Sequence, residues 1–168
     1  MRSNINYIHM YYPVRSGLFN PVSQLILDFK NCIPEAFNYF RLKTSSWIKQ
    51  NLHDSYMICA VPSSKGGFVN SITRLAEKLS GDHPSMIDGS QCIVKLMTHE
   101  SFCKTNKRDA DLLRRSTFIS DHVKGYNILL LDDITSSGTS FNVISQMLLD
   151  KGANSVTCLA MAQTAKLK

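Results

Sequence analysis

One run constrains this chain more than any other: Asn127-Ile128-Leu129-Leu130-Leu131-Asp132-Asp133-Ile134-Thr135-Ser136-Ser137-Gly138-Thr139-Ser140. The continuous apolar stretch 128–131 has the character of a strand buried on both faces of a parallel sheet. Such a strand exposes only its carboxyl end. Asp132 and Asp133 stand there, in the crevice where open α/β sheets bind ligands. Neighbouring carboxylates repel each other and lose hydration, so they call for polyols or cations between them and solvent, and vicinal hydroxyls suit them. Ser136, Ser137, Gly138, Thr139 and Ser140 then supply hydroxyls, backbone amides and one unrestricted backbone position before an apolar-periodic helix. The first amides of a helix lack intrahelical partners and its dipole favours negative charge, so this loop is suited to a phosphate. The run reads as a sugar-phosphate site. The plainer reading, a buried strand and an acidic turn capping a helix, accounts for either aspartate but not for both together with the loop.

From the middle of the chain onward strands and helices alternate. Spacing predicts a strand over 56–61, then a helix over 68–79 with Val69, Ile72, Leu75, Ala76 and Leu79 on one face. A second strand is expected over 92–97, and a short helix over 108–115. After the aspartate run come a helix over 140–151, stopped by Gly152, and a strand over 155–161. Residues 56–161 therefore form a doubly wound α/β domain with a parallel sheet flanked by helices. The first 55 residues differ, reading as two helices over 21–31 and 34–52. Leu25, Ile26, Phe29, Phe37, Phe40, Trp47 and Ile48 give them apolar surface suited to packing. The expected division is an N-terminal helical hood, 1–55, on a core, 56–168.

A chain of 168 residues, 43% hydrophobic, can bury a core of ordinary size. No apolar stretch approaches the roughly 18 residues that span a bilayer, and the N-terminus lacks the pattern of a leader, so no membrane partner and a cytoplasmic location are expected. Cys32, Cys59, Cys92, Cys103 and Cys158 are odd in number and widely spaced, which argues against a disulfide framework or zinc site. His9, His53, His83, His99 and His122 show no ligand-like spacing either, so no protein-held metal is expected. The net charge of +6 suits an anionic substrate and also permits nucleic acid. Its one concentrated basic segment, Lys104, Lys107, Arg108, Arg114 and Arg115, is interrupted by Asp109 and Asp111. Such mixed charge reads first as a solvated helix face, leaving nucleic acid the less favoured partner.

A second loop stands in a position parallel to the first. Val61-Pro62-Ser63-Ser64-Lys65-Gly66-Gly67 follows the first predicted strand and opens the helix at Phe68. Two hydroxyls, a lysine and two glycines at a helix start can cradle a second phosphate. Alone it is a turn before a helix. Its placement one strand-helix unit before the double aspartate favours the phosphate reading.

Together these residues resemble the phosphoribosyl pyrophosphate signature of type I phosphoribosyltransferases: four apolar residues, two acids, two further residues, then a small-residue loop around a glycine. The resemblance covers 56–164. It implies that Asp132 and Asp133 hold the ribose hydroxyls and the water shell of a magnesium ion brought with the substrate. Thr135, Ser136, Ser137, Gly138, Thr139 and Ser140 would surround the 5′-phosphate, and Ser63, Ser64, Lys65 and Gly66 the pyrophosphate. A mobile loop between Thr98 and Ile119 would bring basic groups to the reactive centre. Lys104, Lys107 and Arg108 join Asp132 and Asp133 as catalytic candidates, with Thr98 and His99 in the same stretch, and a polar surface loop is the alternative. Pyrophosphate loss builds up negative charge that cations stabilise more in the transition state than in the ground state.

The order Val61-Pro62, Gly66-Gly67-Phe68, Lys124-Gly125, Asp132-Asp133-Ile134, Ser137-Gly138-Thr139-Ser140 and Lys151-Gly152-Ala153 is similar to the ComF-type branch, related to competence and amidophosphoribosyltransferase-like proteins. The N-terminal zinc-binding cysteine cluster frequent in that branch is absent. Thr135 replaces the usual aliphatic residue, and Ser136 stands where 6-oxopurine-using members place an aspartate. A serine without an activating partner is a poor base near neutral pH, so hypoxanthine or guanine salvage is disfavoured. The implied reaction transfers the phosphoribosyl group to a nitrogen acceptor with release of pyrophosphate. The alternative is a sensor or effector that binds phosphoribosyl pyrophosphate or a nucleotide without transfer, linked to DNA uptake or other nucleic-acid processes. A homodimer fits the family.

Overall fold

The computed structural model describes residues 4–63, 70–96 and 110–166. In chain order these form β1 (Ile5–Tyr11), α1 (Pro21–Lys30), α2 (Pro34–Asn51), β2 (Tyr56–Ala60), α3 (Ser71–Asp82), β3 (Met86–Asp88) and β4 (Ile93–Lys95). There follow α4 (Ala110–Arg115), β5 (Thr117–Ile119), β6 (Asn127–Thr135), α5 (Thr139–Asp150) and β7 (Ser155–Thr164). Five strands make the central sheet in the order β1-β7-β6-β2-β3, every neighbouring pair parallel.

The apolar run is continuous because both faces of its strand are covered. Strand side chains alternate between faces. Ile58, Ala60, Leu129, Leu131, Leu159 and Met161 pack with α1, α2 and α3. Met57, Cys59, Ile128, Leu130, Cys158 and Ala160 turn the other way, towards Phe141, Ile144 and Leu148 of α5. Ile128, Leu129, Leu130 and Leu131 are fully buried, each such side chain contributing about 1.5–3 kcal/mol. In the N-terminal helices the aromatics do pack: the Phe29 and Phe40 rings lie 5.0 Å apart between centroids, both fully buried.

Local signals fix the helix starts. Pro21 opens α1, and the Asn20 side chain accepts from Ser23 N at 2.9 Å. At α3 the Asn70 side chain accepts from Thr73 N while Thr73 Oγ1 accepts from Asn70 N, a reciprocal capping box. Helices over 21–31, 34–52 and 140–151 and the strand over 155–161 appear within a few residues of their expected bounds.

Three strands depart from expectation. The N-terminal segment carries its two helices and also β1, which pairs with β7 from Ile5 opposite Cys158 to Tyr11 opposite Thr164. Ile5, Tyr7, Ile8 and Tyr11 are β-branched or aromatic types that favour strands, the signal that could have found it. The stretch expected as a second sheet strand over 92–97 instead supplies β4, which pairs antiparallel with β5 outside the central sheet. Its place beside β2 belongs to the three-residue β3. The crossover through α3 returns the chain to the sheet soon after the helix ends, so the first extended segment takes that position. Cys92 accordingly precedes β4, while Cys59, Cys92 and Cys158 are all buried in the core.

The order of connections places the site. From β2 the chain passes through α3 to β3 on one side, and from β6 through α5 to β7 on the other. Helices α3 and α5 therefore cover opposite faces, and the strand order reverses between β2 and β6. Ligands of open α/β sheets bind outside the carboxyl ends of strands at such a reversal.

Candidate functional site

The crevice opens where β2 leaves β6. Their pairing runs from Tyr56 opposite Asn127 to Ala60 opposite Leu131, and Val61 N donates to Leu131 O at 2.8 Å. β6 continues along β7, with Ile134 opposite Ala162 and Thr135 opposite Gln163. Asp132 and Asp133 thus occupy the stretch of β6 that has parted from β2 and is still held by β7.

β6 extends to Thr135, so the two acids lie within its final stretch instead of after it. Asp133 faces the N-terminal helices, where Lys30 meets it, and its neighbour Ile134 packs on the same core as Leu129 and Leu131, so strict alternation lapses at this end of β6. Asp132 is buried, 7% exposed, and its Oδ1 accepts from Asp133 N at 2.9 Å. The Asp133 Oδ1 accepts from Ile134 N at 2.6 Å, and its Oδ2 lies 3.4 Å from Lys30 Nζ at the end of α1. Local backbone bonds hold one oxygen of each acid. The two neighbouring acids lie at the crevice, past the last pairing of β6 with β2.

The small-residue loop follows directly. Thr135 is buried at the end of β6, Ser136 and Ser137 are exposed, and Gly138 turns with φ +77° as the residue before α5. Unlike the asparagines before α1 and α3, it gives α5 no side-chain cap. Ser137 Oγ lies 2.8 Å from Thr139 Oγ1 and accepts from Thr139 N at 3.4 Å. A Cβ on Gly138 would come within 2.6 Å of Ile5 Cδ1, so β1 limits this turn from the side. Ser140 is buried in the first turn of α5. The loop presents hydroxyls and an N-terminal helix dipole at the end of β6.

On the opposite wall, Ser63 lies half-buried on the loop leaving β2. It lines a small pocket of mixed character with Pro62, Asn70, Thr73, Ser90, Ile93 and Lys95. Ser64, Lys65 and Gly66, and the loop candidates Thr98, His99, Lys104, Lys107 and Arg108, lie outside the described residues. Of the basic segment, Arg114 and Arg115 end α4.

Among the described residues, no three His, Cys, Asp or Glu side chains gather as a metal-holding group. Two hard carboxylates suit magnesium but are too few to enclose it. That donor set fits an ion that keeps most of its waters and reaches the site on a phosphate ligand. Lys30 is the site residue that sequence reasoning missed. It is remote from the motif, and no local pattern marks it.

No family model matches the chain, and no curated protein matches it. Solved structures do resemble it at low identity. One is a hypoxanthine phosphoribosyltransferase from Staphylococcus aureus, 12% identical, covering 85% of this chain and 70% of that one, with a TM-score of 0.45. Another is that of Trypanosoma cruzi, 10% identical over 84% of this chain and 74% of that one, TM-score 0.42. A third, the HGPRT-ase of Leishmania tarentolae in complex with GMP, is 15% identical over 84% and 67%, TM-score 0.37. The site itself offers an acid pair and a glycine-turned helix start at the strand-order reversal of a parallel α/β sheet.

Proposed function

We propose that this protein is a phosphoribosyltransferase of the type I kind that binds phosphoribosyl pyrophosphate with magnesium and transfers the phosphoribosyl group to a nitrogen acceptor. The observation that carries the reading is the position of Asp132 and Asp133 on β6 beyond its last bond to β2, beside the helix start at Gly138. The 5′-phosphate takes the loop 136–140, and the ribose hydroxyls lie between the two carboxylates. The pyrophosphate takes the loop after β2, with Ser63, Ser64, Lys65 and Gly66. Asp132 and Asp133 would hold the water shell of magnesium arriving with the donor, and the ion would supply charge neutralisation to the phosphates. The chain's own residues bind and orient the donor, and Lys104, Lys107 and Arg108 offer cations to the departing pyrophosphate. Motif order favours the ComF-type branch. The cytoplasm is the compartment of this reading, in keeping with the finding that no helix among the described residues is long and apolar enough to cross a membrane.

Ser136 supports a second reading. It is exposed on the loop at the position where an acid would act as base, and a serine there offers little proton abstraction. A sensor that binds donor or nucleotide without transfer needs no such base. Incubation with phosphoribosyl pyrophosphate, magnesium and a panel of bases and amines decides between the two. Transfer predicts acceptor-dependent pyrophosphate release. Tight binding with no release from any acceptor contradicts transfer and favours the sensor.

A further inference from the structure

The ion pair at Asp133 points to a role for the N-terminal segment at the site. Lys30 is the last residue of α1, and its ammonium lies 3.4 Å from Oδ2 of Asp133, while Oδ1 is held by Ile134 N. A cation in the last turn also suits the dipole of α1 itself. That accounts for a basic residue at the helix end, but not for its reach to β6, in a different layer. The Lys30 side chain is 43% exposed and that of Asp133 24%, so the pair sits at the rim of the crevice.

We propose that Lys30 is a substrate-positioning residue that balances the charge of the aspartate pair, so that the crevice admits a polyanionic phosphoribosyl donor. The inference rests on the donor-site reading above. Without Lys30 the donor would meet two carboxylates and no nearby cation from α1. With it, half that charge is offset, and Asp133 is held with both oxygens engaged until the donor arrives. The flexible four-carbon stem then lets the ammonium swing from Asp133 to a donor oxygen without disturbing the packing of α1.

The sign of the effect separates this role from mere scaffolding. Removing the cation makes the crevice more negative, which disfavours a polyanion and favours a bare divalent cation. Lys30→Met and Lys30→Arg are compared with the unmodified chain by calorimetry, once with phosphoribosyl pyrophosphate and magnesium and once with manganese alone. Lys30→Met is expected to weaken donor binding about fivefold at low salt, by the size of one rim charge pair. The loss shrinks as salt rises, and Lys30→Arg restores most of it. The same Lys30→Met protein is expected to bind manganese more tightly than the unmodified chain. Equal donor affinity in Lys30→Met, or weakening of donor and manganese alike, overturns the assignment and leaves the donor-site reading standing. Failure of the unmodified chain to bind donor overturns both.

Discussion

At Gly138 the backbone enters a left-handed turn, φ +77°, where a side chain is strained whatever the space around it. The Ile5 methyl can move, so the cost of a side chain comes mainly from the backbone. Gly138→Ala is expected to destabilise the fold by about 1–3 kcal/mol, read from the midpoint of urea unfolding. It should also loosen phosphate binding by tilting the first turn of α5. Two histidines make stability depend on pH just below neutrality. His83, its Nε2 2.8 Å from Ser45 Oγ, is held below its ordinary value of 6.5 by burial and then by Lys49. His9, bonded to Tyr39 OH at 2.8 Å, is lowered by burial and then by Lys43. Both favour the neutral form in the folded state, so the unfolded chain binds more protons once the pH falls to their ordinary value. The stability tied to neutral His9 and His83 is present above that value and is lost as pH drops through their folded values. Melting temperature should therefore fall between about pH 7 and pH 5, and His9→Gln with His83→Gln should flatten that slope. An unchanged slope in the double variant contradicts this origin.

The helices on the N-terminal face illustrate which contacts hold elements together. Arg41 of α2 and Asp82 of α3 form a bidentate pair with Nε to Oδ2 at 2.6 Å, and mutual hydrogen bonding lowers the Asp82 carboxyl. Both groups are substantially exposed, so solvent screens the pair. Asp82→Asn should cost under about 1 kcal/mol. Leu79, one turn earlier on α3, is fully buried against the sheet, and Leu79→Ala should cost about 2–5 kcal/mol. Comparable losses in chemical denaturation would contradict the view that apolar burial dominates this interface. The same contrast explains what was legible at this scale. Long helices with an apolar stripe and a proline at the start, such as α1 and α2, declare themselves locally. β3 does not: Met86–Asp88 is three residues between turns, identifiable as a strand through the partner β2 provides.

Across the whole molecule, the strand β6 was readable because chemistry and hydrophobic period coincide there: an apolar run followed by acids and a glycine loop suits a covered strand that ends at a crevice. The reach of that strand to Thr135 was not readable, because it depends on how far β7 follows β6. Nor was Lys30, which meets Asp133 only after β1, α1 and β6 have packed. The strand-order reversal between β2 and β6 follows from topology and brings the loop after β2 opposite the loop after β6. That convergence is the proposed donor site. Its most direct test is calorimetric titration of phosphoribosyl pyrophosphate with magnesium into the unmodified chain and into Asp132→Ala plus Asp133→Ala. The account predicts saturable binding in the first and none in the second, with the variant still folded by circular dichroism. The same affinity in both would contradict it.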